Sequence, residues 1–284
     1  MLAVGAPAEL PAAVRSLLGP GEPVEVVVVS SGAAERPGAA AALLAAEGLE
    51  GVPVVERPEL LLPGAARNLG ISSTRAPFLA FLAADCWAEP GWVASRLRAH
   101  RAGAAAVASA VTNPFRTNLS AWASYVALYP RRMPGAPPAD ALRYGVSYAR
   151  ELFDRFGRFR EDLRGGEDTD FHQRLAGQVE IAWEPAVRTA HRHPRRLLTL
   201  LRDQYRRGAR SARAWARLQG PGPREVALNA LRRLPYDLRL AWRHADAADR
   251  PWVAAAGLVL PAAALAYSAG ALRADLRTAL EDEP

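Results

Sequence analysis

The chain has 284 residues, a formal net charge of +7, 50% hydrophobic and 23% charged residues. This composition excludes a disordered protein, and the length suits one α/β domain with an appendage. Its basic residues are all arginines, which together with abundant alanine indicates a coding bias, so the net charge does not predict a nucleic-acid partner. Cys86 is the single cysteine, which excludes an intrachain disulfide and a zinc site built from cysteines.

The first part of the chain alternates between segments with helical and with strand periodicity. Strands are predicted at 24–29, 52–55 and 78–82, and helices at 11–18, 38–47, 63–73 and 90–101. Such alternation predicts a parallel sheet with helices on both faces. Ligands of these sheets bind at the carboxyl ends of the strands, where Ser30, Ser31 and Asp85 lie. The proline-punctuated stretch 114–138 is predicted to be an irregular loop on the acceptor side.

Near the C-terminus, residues 252–272 form an uncharged segment of about the length that a membrane-spanning helix requires. Arginines crowd into residues 192–250 ahead of it and suit an anionic membrane surface or a phosphate group. A buried core helix and an amphipathic surface helix are the alternatives. The amino-terminal sequence lacks the pattern of a secretory signal, so we expect the protein at the cytoplasmic face of the cell membrane.

Two ordered blocks resemble family 2 glycosyltransferases. Residues 63–92 are similar to the family's G-x-A-x-x-R-N-x-G helix, which leads to a strand, a D-x-D motif and P-G-W. Residues 144–175 are similar to its acceptor-side block, in which a Glu-Asp pair opens a helix. The resemblance covers about residues 5–195 and implies a GT-A fold, with a nucleotide-binding Rossmann-like sheet, and transfer of a sugar from a nucleotide-diphosphate donor.

The resemblance implies a divalent cation, Mn²⁺ or Mg²⁺, bound at the last position of the D-x-D motif, which is Asp85. Ala83 occupies the first position, so one acidic contact of the family is missing. Family members often complete the metal shell with a histidine after a later strand. His191 is the candidate here because it lies nearest the predicted strand end, with His193 close by. Solvation or helix capping is the alternative role of Asp85.

In the family, the aspartate of the Glu-Asp pair is the general base, which corresponds to Asp168 beside Glu167. It takes the proton of the acceptor hydroxyl group while that oxygen attacks the anomeric carbon, which inverts the configuration. Gly165 and Gly166 precede the pair. The alternative is that these acids only solvate the start of a helix, where negative charge is favourable.

Candidate donor contacts are Ser31, Arg67, Asn68 and Arg207. Ser30 and Ser31 stand where the family usually has aspartates, and Asn68 can instead pack or cap a helix. Arg207 belongs to a Q-x-x-R-W-like element with Gly208 in place of tryptophan, and can clamp a diphosphate or lie on a basic amphipathic helix. The family's first strand is represented only by residues 1–10, so either that strand is short or the chain starts too far downstream.

The resulting prediction is a catalytic region at 1–195 and a basic helical region at 196–284. The acceptor is expected to be a lipid, a glycan or a small molecule near a membrane. Two other functions remain open: a non-catalytic protein that keeps the fold as a binding or scaffold module, and a nucleotidyltransferase acting on sugar phosphates. A nucleotidyltransferase of this kind would have a glycine-rich basic loop after the first strand, and residues 1–10 lack such a loop.

Overall fold

The computed structural model describes residues 1–19, 21–217 and 220–274. It separates into two compact units, the first made of residues 1–111 and 142–191 and the second of residues 112–141 and 192–284. Residues 112–141 therefore belong to the unit that contains the C-terminal helices. The division by function into 1–195 and 196–284 stays a prediction, and its last part, 275–284, lies outside the described residues.

The strands of the first unit are β1 (Leu2–Val4), β2 (Val28–Ser31), β3 (Val54–Arg57), β4 (Phe78–Ala80), β5 (Cys86–Ala88), β6 (Ala106–Thr112, reaching one residue into the second unit), β7 (Ser147–Ala149) and β8 (Ile181–His191). Its helices are α1 (Leu10–Arg15), α2 (Ala39–Ala45), α3 (Pro63–Ser72), α4 (Trp92–Arg101), α6 (Glu151–Phe156) and α7 (Glu167–Leu175). The second unit holds α5 (Leu119–Leu128), α8 (Leu197–Arg217), α9 (Pro223–His244), α10 (Arg250–Ala256) and α11 (Leu260–Leu272).

The first three strands form a parallel sheet in the order β1-β2-β3, as the alternating sequence pattern predicts. The strand predicted at 24–29 begins only at Val28, and β2 has the sequence Val-Val-Ser-Ser. All four residues are buried, as are Val26 and Val27 ahead of the strand, which explains why the valines of this stretch do not alternate with polar residues. Backbone hydrogen bonds from Leu2 to the carbonyl of Leu82 and from Ala84 to that of Leu2 connect β1 to the segment that follows β4. The carboxyl end of β1 therefore lies beside the segment that carries Asp85.

The second sheet has five strands in the order β4-β7-β6-β8-β5 and contains antiparallel pairs, which the alternation of helices and strands did not predict. These strands are joined by longer segments of chain, so local periodicity carries no information about their direction. Behind this sheet lies an aromatic core in which Tyr148, Phe153, Phe159 and Phe171 pack against one another. This core holds α6 and α7 against β7, and so fixes the start of α7.

The second unit is helical, and α11 packs against α8 and α9 within it. The expected irregular loop at 114–138 is wrong for its middle part, because residues 119–128 form α5, capped by the side chain of Asn118. The proline punctuation marks the ends of this helix rather than an absence of structure. No single helix in the described ranges has the length and apolar character to cross a membrane. The helices α10 and α11, which meet at a bend of 49°, are together long and apolar enough to do so.

Candidate active site

Pairing of β5 with β8 brings Asp85 and His191 together. Cys86 is the register partner of His191 in this antiparallel pair, and Asp85 directly precedes Cys86. The Nε2 atom of His191 lies 3.8 Å from Oδ2 of Asp85, and the Cys86 thiol lies 3.6 Å from Oδ1. One ligand atom from each of these three residues lies within 4.8 Å of the other two. The predicted pairing of Asp85 and His191 thus has a geometric basis.

The chemistry of these donors fits a divalent cation. Asp85 is exposed and offers a hard oxygen, as Mn²⁺ and Mg²⁺ prefer, while imidazole suits Mn²⁺ better than Mg²⁺. A cation held by these two residues would keep coordination positions for water and for diphosphate oxygens. Ala83, the first position of the motif, is exposed and supplies no ligand atom. Cys86 is buried, and its soft thiol is a poor partner for either hard cation.

Glu167 is a buried carboxylate at the first position of α7. Its side chain is 6% exposed and pairs with Arg67 of α3, whose guanidinium lies 3.0 Å away. Burial raises the pKa of Glu167, although the charge of Arg67 opposes this shift. Arg67 also lies over the rings of Phe81 and Phe159. The structure therefore connects two residues from the separate sequence blocks and gives Arg67 a partner within the protein.

Asp168 follows Glu167 but is only partly buried. Gly166 caps the helix with φ of 88°, a left-handed conformation that favours glycine, and turns the chain so that the acidic residues open the first turn. The Asp168 carboxylate accepts a hydrogen bond from the backbone N–H of Thr169 at 2.8 Å. A helix start is a favourable place for negative charge, and this carboxylate is reachable from solvent.

Tyr148 and His172 complete the surroundings of this helix start and were not identified from sequence. The Tyr148 hydroxyl group and Nε2 of His172 form a hydrogen bond of 2.8 Å. Burial lowers the pKa of His172, while the charge of Asp168 opposes this shift. Burial also raises the pKa of Tyr148 far above its ordinary value. The available signal was the spacing of four between Asp168 and His172, which places both on one face of a helix.

Asn68 holds the loop that leads to α7. Its side-chain amide donates to the carbonyl of Phe159 at 2.9 Å and to Glu161 at 2.8 Å, and its oxygen accepts from the N–H of Phe159 at 3.1 Å. Nearby, a Cβ at Gly64 would lie 1.9 Å from the Arg160 carbonyl oxygen, so only glycine permits this approach. These contacts support the packing role that the sequence left open for Asn68.

The remaining predicted donor contacts lie elsewhere. Ser31, at the end of β2, is 2% exposed, and Ser30 donates its hydroxyl hydrogen to the Gly5 carbonyl at 2.8 Å. Arg207 lies on α8 in the second unit and pairs with Asp203 one turn earlier, at 2.7 Å. The first unit therefore brings together Asp85 with His191 and Arg67 with Glu167, whereas Ser31 is withdrawn from the surface.

Comparison with known proteins gives one family. The model of glycosyl transferase family 2 matches residues 1–159, more than half of the chain. No curated protein matches the sequence.

Solved structures include similar folds at low sequence identity. The mannosyltransferase PcManGT from Pyrobaculum calidifontis, in complex with GDP-Man and Mn²⁺, is 18% identical with a TM-score of 0.51, covering 98% of this chain and 76% of its own. Glucosyl-3-phosphoglycerate synthase from Mycobacterium tuberculosis, with phosphoglyceric acid, is 22% identical with a TM-score of 0.47, covering 76% of this chain and 77% of its own. S. aureus TarS is 14% identical with a TM-score of 0.49, and the match covers 86% of this chain and 69% of the TarS chain.

Proposed function

This chain belongs to glycosyl transferase family 2, and on that premise we propose that its first unit transfers a sugar, with inversion, from a nucleoside-diphosphate donor to an acceptor hydroxyl group. The observation that carries the proposal is the difference in burial between two neighbouring carboxylates at the start of α7. Glu167 is buried and paired with Arg67, whereas Asp168 beside it is reachable. A general base requires a carboxylate of the second kind.

Asp168 is the proposed catalytic base. The acceptor oxygen loses its proton to this carboxylate and forms a bond to the anomeric carbon of the donor sugar. The bond from that carbon to the diphosphate oxygen breaks, and its electron pair leaves with the diphosphate. Attack from the face opposite the leaving group inverts the anomeric configuration. Glu167 does not take part in proton transfer in this scheme; with Arg67 it positions the first turn of α7.

Asp85 and His191 are the residues proposed to hold Mn²⁺ or Mg²⁺. When bound there, the cation supplies positive charge that stabilises the departing diphosphate. The strand pairing that places His191 beside Asp85 supports this assignment. PcManGT is bound to GDP-Man and Mn²⁺ in its solved structure, which makes a nucleotide sugar with Mn²⁺ a reasonable first pair of ligands to test.

The experiment is a donor panel. Purified protein is incubated with UDP-, GDP- and TDP-sugars, Mn²⁺ or Mg²⁺ and a membrane extract as acceptor source, and free nucleoside diphosphate is measured. We expect metal-dependent release from one donor class. Release that is equal with and without metal contradicts the roles of Asp85 and His191, and absence of release from every donor contradicts the enzymatic function.

A non-catalytic binding or scaffold protein is the second candidate, and specific residues favour it. Ala83 replaces an acidic contact of the family, and Ser30 and Ser31 are buried at the position where a nucleotide contact was predicted. Calorimetry with the same donors distinguishes the two functions, because a scaffold protein binds a donor or its diphosphate without turning it over.

For the second unit we propose association with the cytoplasmic face of an anionic membrane. Leu258, Leu265 and Leu272 lie along the bent pair α10–α11 with exposures of 83%, 59% and 55%. Arg202, Arg206 and Arg210 are exposed on α8 at helical spacing. Exposed leucines together with arginines suit a surface that contacts lipid headgroups. Such a surface favours a lipid or membrane-proximal acceptor.

Vesicle co-sedimentation tests this association. Wild type is expected to sediment with phosphatidylglycerol vesicles more than with phosphatidylcholine vesicles, and the Leu265→Ser, Leu272→Ser variant less than wild type. Leu60→Ser, an exposed leucine of the first unit at 61%, is the matched control. Equal sedimentation of wild type and the double variant contradicts the proposal.

A further inference from the structure

Cys86 lies beside the two residues proposed to hold Mn²⁺ or Mg²⁺, although both of these cations have little affinity for thiols. Its thiol donates a hydrogen bond to Oδ1 of Asp85 at 3.6 Å, and Cys86 is the register partner of His191 where β5 pairs with β8. Residues directly opposite in an antiparallel pair have their side chains on the same face of the sheet. The thiol and the imidazole therefore share one face, and the carboxylate approaches both from the preceding residue.

The three donor atoms have nearly the spacing that a small tetrahedral cation requires. Zn²⁺ binds a thiolate sulfur at about 2.3 Å and an imidazole nitrogen at about 2.0–2.1 Å, so tetrahedral angles put two ligand atoms about 3.3–3.6 Å apart. In this site the Asp85 carboxylate lies 3.8 Å from Nε2 of His191 and 3.6 Å from the thiol, and one ligand atom from each residue lies within 4.8 Å of the other two. Small rotations of the side chains close this triangle around one ion.

The three donors lie at different depths. Cys86 is buried and packs with Leu82 and Trp92, whereas His191 is partly buried and Asp85 is exposed. An ion therefore meets the carboxylate first and the thiol, at the inner end of the site, last. A thiolate at this depth is costly without a cation beside it, so metal binding and loss of the thiol proton are coupled.

The chemistry of the donors separates two kinds of cation. Mn²⁺ and Mg²⁺ prefer oxygen ligands, and Asp85 with His191 serves them without the thiol. Zn²⁺ accepts thiolate, imidazole and carboxylate in one coordination shell, and sites of nitrogen, oxygen and sulfur bind it more tightly than Mn²⁺. The chain has a single cysteine, so no other thiol of the chain competes for this ion.

We propose that Asp85, Cys86 and His191 form a Zn²⁺ site in which the Cys86 thiolate is a ligand, and that Zn²⁺ bound there excludes the catalytic cation. The thiol proton leaves to water and a bond from sulfur to zinc replaces it. The carboxylate and the thiolate together neutralise the charge of Zn²⁺, and three protein ligands leave a single tetrahedral position. A diphosphate therefore finds neither the positive charge nor the adjacent coordination positions that Mn²⁺ offers. This inhibition rests on the proposed function, whereas the Zn²⁺ site itself does not.

Co²⁺ is the probe for the thiolate ligand, because it occupies the same kind of site as Zn²⁺ and its bond to a thiolate absorbs in the near ultraviolet. The reduced full chain is titrated with Co²⁺. We expect a charge-transfer band that saturates at about one Co²⁺ per chain, and with a single cysteine this band reports Cys86 alone. Cys86→Ser is expected to lack the band and His191→Ala to need more Co²⁺ to develop it. Wild type without the band overturns the proposal, whatever the variants do.

Zn²⁺ affinity, measured by competition with a chromophoric chelator, gives the matched comparison. Cys86→Ser is expected to weaken Zn²⁺ binding by at least about tenfold and Mn²⁺ binding by less than about threefold, because only Zn²⁺ uses the thiolate. An equal effect of the substitution on the two ions overturns the proposal.

Turnover tests the inhibition. With Mn²⁺ and the donor identified in the panel, Zn²⁺ is expected to inhibit wild type at a concentration at least about tenfold lower than it inhibits Cys86→Ser. Inhibition of both proteins at the same concentration overturns exclusion through the thiolate. If no donor is turned over, the proposed function fails, while the Co²⁺ band and the Zn²⁺ affinities still decide the metal site.

Discussion

Glu167 and Asp168 show how neighbouring carboxylates acquire different properties from their surroundings. Glu167 is buried and pairs with Arg67, and burial raises the pKa of Glu167. Asp168 projects from the same helix turn but stays partly exposed. The sequence placed both among the catalytic candidates, and this difference in burial is the basis on which we propose Asp168 as the base and Glu167 as a positioning residue. This difference can be measured through pH.

The stability difference between wild type and Glu167→Gln is expected to depend on pH. The folded pKa of Glu167 is raised above its ordinary value of 4.5, so the folded chain binds this proton more tightly than the unfolded chain. Wild-type stability relative to the variant therefore falls as pH rises from 4.5 through the raised pKa. Urea unfolding between pH 4 and 8 measures the unfolding free energy of both proteins. A wild-type stability that rises relative to that of the variant over this window contradicts the burial argument.

The metal assignment gives a second prediction at the scale of residues. Asp85→Asn and His191→Ala are each expected to weaken Mn²⁺ binding by at least about tenfold, since each removes one protein ligand. Cys86→Ser is the matched control from the same cluster and is expected to change affinity by less than about threefold, because Mn²⁺ has little preference for thiols. Electron paramagnetic resonance of free Mn²⁺ measures all three. Strong weakening by Cys86→Ser alone reverses the assignment.

At the scale of elements, the position of α7 depends on contacts with α3. Asn68 forms three hydrogen bonds to Phe159 and Glu161, and Arg67 pairs with Glu167. Asn68→Ala leaves the buried backbone N–H and carbonyl of Phe159 without these partners and is expected to cost about 2–4 kcal/mol of unfolding free energy. Ser72→Ala on α3, which removes only an exposed hydrogen bond from Arg158 to the Ser72 hydroxyl group, is the control. A loss below about 1 kcal/mol for Asn68→Ala contradicts the anchoring role.

The crossing of α8 and α11 depends on two glycines. A Cβ at Gly208 would lie 1.9 Å from the Tyr267 carbonyl oxygen, and one at Gly270 equally close to that of Tyr205. Gly208→Ala is therefore expected to destabilise the second unit by at least about 2 kcal/mol, because the helices must separate. Gly222→Ala meets no atom within 4 Å and is expected to change stability by less than about 0.5 kcal/mol. Equal thermal unfolding of the two variants contradicts this packing.

The helices of the first unit could be predicted from the sequence, whereas contacts between residues distant in the chain could not. Local periodicity predicts α2, α3 and α4 closely, since one buried face is enough to identify each, whereas the strand predicted at 24–29 is observed at Val28–Ser31. It does not predict the antiparallel pairing of β5 with β8, which joins distant residues and explains the pairing of Asp85 with His191. Gly208 differs from the tryptophan of the family motif at a place where a helix crossing leaves no room for a side chain. Tyr148 and His172 were missed because only the folded core brings them together.

At the scale of the whole molecule, the two units have different surfaces. The first unit carries Asp168, the candidate metal ligands Asp85 and His191, and the aromatic core. The second is built from helices whose exposed positions include leucines, tryptophans and arginines. The candidate catalytic residues and the proposed membrane-contacting residues therefore belong to different units. We therefore expect Leu265→Ser with Leu272→Ser to lower vesicle binding without changing donor affinity, which calorimetry with the donor identified in the panel measures.

The role of Asp168 is the central claim, and one comparison tests it directly. Turnover of the identified donor is measured for wild type and Asp168→Asn, together with donor affinity for both proteins. The account predicts that the variant loses activity by roughly 10²–10⁴-fold while donor affinity changes little, because the substitution removes a proton acceptor and preserves the shape of the side chain. Turnover within about threefold of wild type contradicts a catalytic base at Asp168.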